Sequence, residues 1–141
     1  MTFRTSREIA ATPEQVFAAI SEPERLARWW GPAGFTNTFH TCEFKPGGQW
    51  VFDMHGPNGA TYRNESVFAV VEPASKVVIQ HVSEPKFALT MLLSPSPTGT
   101  LVAWEQAFEN PDLARRVESI VVPANEQNLD RLTAEVRRVQ G

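Results

Sequence analysis

Six β-rich runs fill the middle of this 141-residue chain, and the residues between them leave few ways to connect them. The runs cover residues 36–44, 48–55, 60–71, 76–82, 87–94 and 100–108 and are rich in β-branched and aromatic side chains. The separators are Lys45-Pro46-Gly47-Gly48, Gly56-Pro57-Asn58-Gly59, Glu72-Pro73-Ala74-Ser75, Ser83-Glu84-Pro85-Lys86 and Ser94-Pro95-Ser96-Pro97-Thr98-Gly99. Parallel strands need a crossover of about a dozen residues, so connections this short allow only hairpins. The six runs therefore predict an antiparallel meander.

Helical signals flank the meander. Thr12 and Gln15 have capping-box spacing with Pro13 at the first helical position, and Ser21 and Glu24 repeat the pattern nine residues later. Two very short helices are predicted. Such helices are marginal alone, so Val16, Phe17, Ile20, Leu26, Trp29 and Trp30 must dock on a larger body. A weak strand pattern over 3–9 precedes them. After residue 108, Leu113, Val117, Ile120 and Val121 have helical spacing, Pro123 is expected to interrupt, and Leu129, Leu132, Val136 and Val139 resume the stripe.

Seven antiparallel strands expose more apolar surface than two short helices cover. The terminal helix must therefore cross the same concave face. This predicts an α+β fold: a seven-stranded curved antiparallel sheet wrapped around a long C-terminal helix, with two short helices between strands 1 and 2. The chain reads as one domain over 1–141, a length sufficient for a proper core.

Charge and composition exclude several function classes. Thirteen basic and sixteen acidic residues leave a formal charge of -3 with no basic run, which argues against a nucleic-acid partner. The longest apolar run, 67–71, is strand-sized, so no membrane partner is expected. Cys42 is the only cysteine, which rules out an intrachain disulfide, and residues 1–8 lack the apolar core of a signal peptide. A cytoplasmic location is the expectation.

Strand alternation selects the side chains that face the helix. Trp50, Phe52 and Met54 form one inward set; Phe87, Leu89, Met91 and Leu93 a second; Val102, Trp104, Gln106 and Phe108 a third. In 76–82 the set Val77, Ile79, His81 competes with Val78, Gln80, Val82, and the bulkier first set is preferred inside. In 60–71 either Tyr62, Asn64, Ser66, Phe68 or Arg63, Glu65, Val67, Ala69 could face the helix, with the Tyr62 set preferred. Most such residues in any protein are simply core. Here the aromatic wall of Trp29, Trp30, Trp50, Phe52, Phe87 and Trp104 converges with Gln106, His81 and Tyr62, and interior polar groups need partners or a ligand.

The catalytic inventory is thin. No nucleotide loop, nucleophile elbow or paired zinc motif occurs. His40 and Cys42 share one strand face by spacing, but no further ligand pair approaches them, and His55 reads as outward, so no metal site is expected. An acid or base would have to be His81, Glu65 or Tyr62.

The chain resembles the START-like (SRPBCC) superfamily and, within it, bacterial proteins similar to the activator of the large heat-shock chaperone's ATPase, often grouped with polyketide cyclases. The residues that carry the resemblance include Thr12-Pro13-Glu14-Gln15-Val16-Phe17, Leu26-Ala27-Arg28-Trp29-Trp30-Gly31-Pro32 and Phe44-Lys45-Pro46-Gly47-Gly48-Gln49-Trp50. They continue through Val71-Glu72-Pro73-Ala74-Ser75-Lys76-Val77, Gly99-Thr100 with Trp104 and Phe108, and Asn125-Glu126-Gln127-Asn128-Leu129-Asp130-Arg131-Leu132. Ser66 and Ala74 depart from the family pattern, which often has glycine and a second proline there. The resemblance implies the helix-grip fold and an inward Val102, Trp104, Gln106 and Phe108.

The first functional expectation is binding of a small, mainly hydrophobic or aromatic molecule under the terminal helix. Its site would comprise Trp29, Trp30, Trp50, Phe52, Met54, Tyr62, His81, Phe87, Leu89, Met91, Trp104, Gln106 and Phe108, with no cofactor. A cyclase- or hydrolase-type enzyme using His81 or Glu65 is the second. The third is a stress-response role as a chaperone-ATPase regulator, with Trp29-Trp30-Gly31-Pro32 as the anchor. Self-association into a homodimer through a sheet edge or outer face is a related expectation.

Overall fold

The computed structural model describes residues 1–140. Its elements run β1 (Thr2–Ile9), α1 (Pro13–Ser21), α2 (Pro23–Trp29), β2 (Thr36–Cys42), β3 (Gly48–His55), β4 (Thr61–Glu72), β5 (Lys76–His81), β6 (Phe87–Ser96), β7 (Gly99–Phe108) and α3 (Pro111–Gln140). One seven-stranded antiparallel sheet has the order β1-β7-β6-β5-β4-β3-β2, so β2 to β7 form the meander and β1 closes beside β7. The sheet grips α3, with α1 and α2 filling one end. This is the helix-grip fold.

The first capping box forms. Thr12 Oγ1 accepts from the Gln15 amide at 3.1 Å, and Gln15 Oε1 accepts from the Thr12 amide at 2.9 Å. The second does not. Ser21 is still inside α1, and Glu22 serves as both the C-cap of α1 and the N-cap of α2, without a side-chain cap bond. Its amide donates to Ala18 and its carbonyl accepts from Leu26 at 2.9 Å, so the two helices join without a spacer. Pro23 then supplies the fixed φ that starts α2.

Pro123 does not interrupt α3, which runs unbroken through it. Proline removes the bond to the carbonyl four residues back, here Ser119. Both residues are exposed, so water can serve that carbonyl and the helix continues.

The core lies between the sheet and α1, α2 and the second half of α3. Trp29, Trp50, Trp104, Phe52 and Phe68 are among its fully buried side chains, and Leu129, Leu132 and Val136 dock the helix on them. Trp50 stacks on Phe52 and Phe68 with ring centroids 4.3 and 5.3 Å apart. A smaller cluster of Phe3, Phe108 and Ala114 holds the first half of α3. That first half is thinly packed: Ile120 is 68% exposed and Val122 46%.

Two strand irregularities decide which faces are presented. In β4 the inward set is Asn64, Ser66 and Phe68, and the register with β5 shifts between Phe68 and Val70. In β2 the register with β3 shifts between Phe39 and Thr41. A bulge of this kind reverses the facing of the residues beyond it, so His40 and Cys42 do not share a face. His40 bonds the outward Asp53 at 2.9 Å, whereas Cys42 packs against the core.

Candidate ligand cavity

Between the concave face of the sheet and α3 lies a cavity of about 240 Å³. Its sheet walls come from alternate residues on four strands: Met54 on β3, Asn64 on β4, His81 on β5, and Leu89 with Phe87 on β6. Trp104 and Gln106 of β7 complete that side, and Trp30, Gly31 and Pro32 form the rim after α2. The roof is α3, through Ile120, Val121, Ala124, Asn125 and Asn128. Val121, Ala124, Asn125 and Asn128 follow the spacing of a single helix face.

Seven of the residues expected from the sequence meet here: Trp30, Met54, His81, Phe87, Leu89, Trp104 and Gln106. The others do not line the cavity. Trp29, Trp50, Phe52 and Met91 are inward but lie in the core behind it, each at 1% exposure or less. Phe108 packs in the smaller cluster against Phe3, with centroids 5.9 Å apart. Tyr62 is 49% exposed at the rim beside Phe35. Alternation identifies a face but not a depth, and the two short helices fill the end where those core rings converge.

Glu65 must be corrected outright. It lies on the outer face of β4 and is exposed, one residue out of phase with Asn64 and Ser66. Its backbone amide donates to Ser83 Oγ at 3.1 Å. Glu65 therefore has no access to the cavity as an acid or base.

His81 does reach the wall, but its ring is committed. Nδ1 lies 2.7 Å from the Pro85 carbonyl and Nε2 2.7 Å from Asn64 Oδ1. The ring stacks on Phe87 with centroids 4.6 Å apart and planes at 6°. Burial pushes the imidazole below the ordinary histidine range, partly opposed by the Pro85 and Ser83 backbone and the charge of Glu84. Both partners are acceptors, so only the doubly protonated ring donates to both; the neutral ring donates through one nitrogen and turns the lone pair of the other toward an oxygen.

The rim is held by α3. Arg131 Nη1 donates to the carbonyls of Trp30, Gly31 and Pro32 at 3.2, 2.9 and 2.9 Å, and Nη2 to those of Arg28 and Phe35 at 2.8 and 2.9 Å. Asn128 accepts from the Gly31 amide at 3.3 Å and donates to the Trp29 carbonyl at 3.1 Å. Gly31 has φ +98°, and a Cβ there would sit 2.8 Å from Met54 Cε. The turn is what calls for glycine, since Met54 Cε is the free end of a flexible side chain that can shift aside. Sequence reasoning turned Asn64 inward without placing it in the site, and missed Pro85, Gly31, Pro32 and the α3 roof as ligand-site residues, although Asn125 and Asn128 on an otherwise apolar helix face were a usable signal.

The tryptophan pair is interior. Trp29 is 1% and Trp30 8% exposed, and Trp29 Nε1 donates to the Ala19 carbonyl at 2.9 Å. Cys42 is also withdrawn, its thiol pushed up to about 11 by burial. Among the described residues no group of three or more His, Cys, Asp or Glu is placed to hold a metal, and no helix is long and apolar enough to cross a membrane.

The family described as Activator of Hsp90 ATPase homolog 1-like protein matches residues 10–137. The chain belongs to that family. Its fold is shared by Protein NE0264 from Nitrosomonas europaea at TM-score 0.90 and 18% identity, covering 99% of this chain and 96% of that one. A protein from Arthrobacter aurescens matches at TM-score 0.88 and 24% identity over 97% and 86% of the two chains. The AHSA1-like protein from Aeromonas hydrophila matches at TM-score 0.77 and 18% identity over 99% and 94%. At these identities the structural matches establish the fold alone. No curated protein matches the sequence.

Proposed function

We propose that the protein binds a small, mainly hydrophobic or aromatic ligand in the cavity between the curved sheet and α3. The observation that supports this reading is a half-open cavity of about 240 Å³ walled by Trp30, Phe87, Leu89, Trp104, Ile120 and Val121. An apolar cavity of ~150 Å³ takes up benzene, so this volume suits a ligand of roughly ten non-hydrogen atoms, such as a fused bicyclic aromatic. The acid–base alternative draws no support from Glu65, which is outward, or from His81, whose nitrogens are both engaged. The chaperone-regulator alternative loses its anchor, since Trp29 and Trp30 are buried.

The test is a panel of uncharged bicyclic aromatics, read by the rise in melting temperature and by quenching of tryptophan fluorescence. At least one compound should stabilise the wild-type protein in proportion to its concentration. Ala124→Phe, which fills the cavity from the helix side, should abolish that response. Equal binding by this variant would place the ligand elsewhere and defeat the proposal.

A further inference from the structure

The polar groups on the cavity wall divide into committed and uncommitted sets. Asn64 is committed through Oδ1 to His81 and through Nδ2 to the Tyr62 carbonyl at 3.0 Å. His81 is committed at both nitrogens, and Asn128 at both ends of its carboxamide. Trp104 Nε1 and Gln106 Oε1 are both buried without a partner, and of the two groups only the carboxamide can turn, exchanging Oε1 with Nε2 about its last bond.

Gln106 and Asn125 remain. None of the hydrogen bonds among the described residues uses either carboxamide, and Gln106 Oε1 is buried without a partner. Asn125 is only 9% exposed, yet it projects from the roof of an apolar cavity. A fully buried carboxamide oxygen is ordinarily satisfied, so the unpartnered Gln106 Oε1 needs an explanation, and the Asn125 carboxamide borders the same cavity. One residue comes from β7 and the other from α3. A sphere of 240 Å³ is about 8 Å across, so a single small ligand reaches both.

We infer that the ligand carries one uncharged polar group with both a hydrogen-bond donor and an acceptor, clasped between the Gln106 and Asn125 carboxamides. This rests on the cavity being a ligand site. Each carboxamide offers a donor and an acceptor, and rotation of its last bond exchanges the two, which suits a lactam, a primary amide or a phenol. No Asp, Glu, Lys or Arg lines the cavity, so an ionised group would lose its hydration with no opposite charge to replace it. The apolar body of the ligand lies against Trp30, Phe87 and Leu89.

The test compares naphthalene, naphthoate and quinolinone, which share a fused bicyclic frame, against the wild-type protein, Gln106→Leu and Asn125→Leu. Affinities are read by fluorescence titration after melting curves confirm that each variant is folded. Wild type should bind quinolinone about tenfold more tightly than naphthalene, and naphthoate at least about tenfold more weakly than quinolinone. Each leucine variant should lose the preference for quinolinone while holding naphthalene as tightly as wild type or better. Equal wild-type affinity for naphthalene and quinolinone, a preference for naphthoate, or a preference unchanged in both variants would overturn the clasp and leave the cavity reading standing. Failure of all three compounds to bind wild type would overturn both. Should one variant fail to fold, the other carries the comparison.

Discussion

Arg25 Nε lies 2.8 Å from Glu135 Oε2, with the two side chains only 9% and 4% exposed. The pair ties α2 to α3 across the end of the sheet, and Arg138 Nη2 adds a second bond to the same carboxylate at 2.9 Å. Burial opposes ionisation of Glu135, but the hydrogen bonds from Arg138 and Arg25 outweigh it and hold the carboxyl below its ordinary value. Breaking a buried pair leaves one charge uncompensated. Glu135→Ala should therefore lower unfolding free energy by about 3 kcal/mol in urea titrations. The stabilisation is fully present above the ordinary glutamate value of 4.5 and is lost as pH falls through the lowered folded value. A variant within about 0.5 kcal/mol of wild type at neutral pH would contradict this account.

Arg131 binds five backbone carbonyls with one planar guanidinium, a geometry that an ammonium cannot reproduce. Arg131→Lys is expected to cost about 2 kcal/mol and to shift the emission of the cavity tryptophans, because the 30–35 rim is no longer held. An unchanged emission maximum would show that Trp30 is positioned without the clamp.

Because burial lowers the folded-state His81 value, the unfolded chain binds the proton more readily. Stability contributed by neutral His81 is intact at pH 7 and falls as pH drops below the unfolded histidine value of about 6.5. His81→Gln should flatten that acid-side decline in melting temperature. Parallel profiles for the two proteins from pH 7 to 5 would refute the assignment.

Ala74 turns the chain between β4 and β5 at φ +59°, a left-handed conformation that favours glycine. Ala74→Gly should relieve strain of ~1–2 kcal/mol, offset by ~0.5–1 kcal/mol of unfolded-chain entropy, for a net gain of about 0.5 kcal/mol. Chemical denaturation would expose the opposite sign directly.

The fold was legible because turn chemistry and alternation are local. Gly56-Pro57-Asn58-Gly59 sits where β3 turns into β4, whereas of the 94–99 separator only Pro97 and Thr98 lie between strands, and the Val77, Ile79, His81 set is buried as its bulk suggested. The cavity was half legible, because its walls depend on quantities that no single strand carries. Phe52 and Met54 alternate identically, yet Phe52 is core and only Met54 borders open space. His40 and Cys42 were separated by a register shift that exists only in relation to β3. The helix break at Pro123 and the cap at Ser21 failed for a related reason. Hydration of an exposed carbonyl and the sharing of Glu22 by two helices both depend on neighbours in space.

The bond from Arg131 to the Trp30 carbonyl spans 101 residues of sequence. Every hairpin of the meander can close before that contact exists, whereas the rim and roof of the cavity require α3, Pro111–Gln140. Contacts so distant in sequence form late on entropic grounds. A chain ending at Phe108 would carry the strands but present Leu89 and Trp104 to water instead of to α3. A ligand held under α3 would therefore report that this helix has docked on the sheet, which gives the proposed binding assay a second use as a measure of assembly.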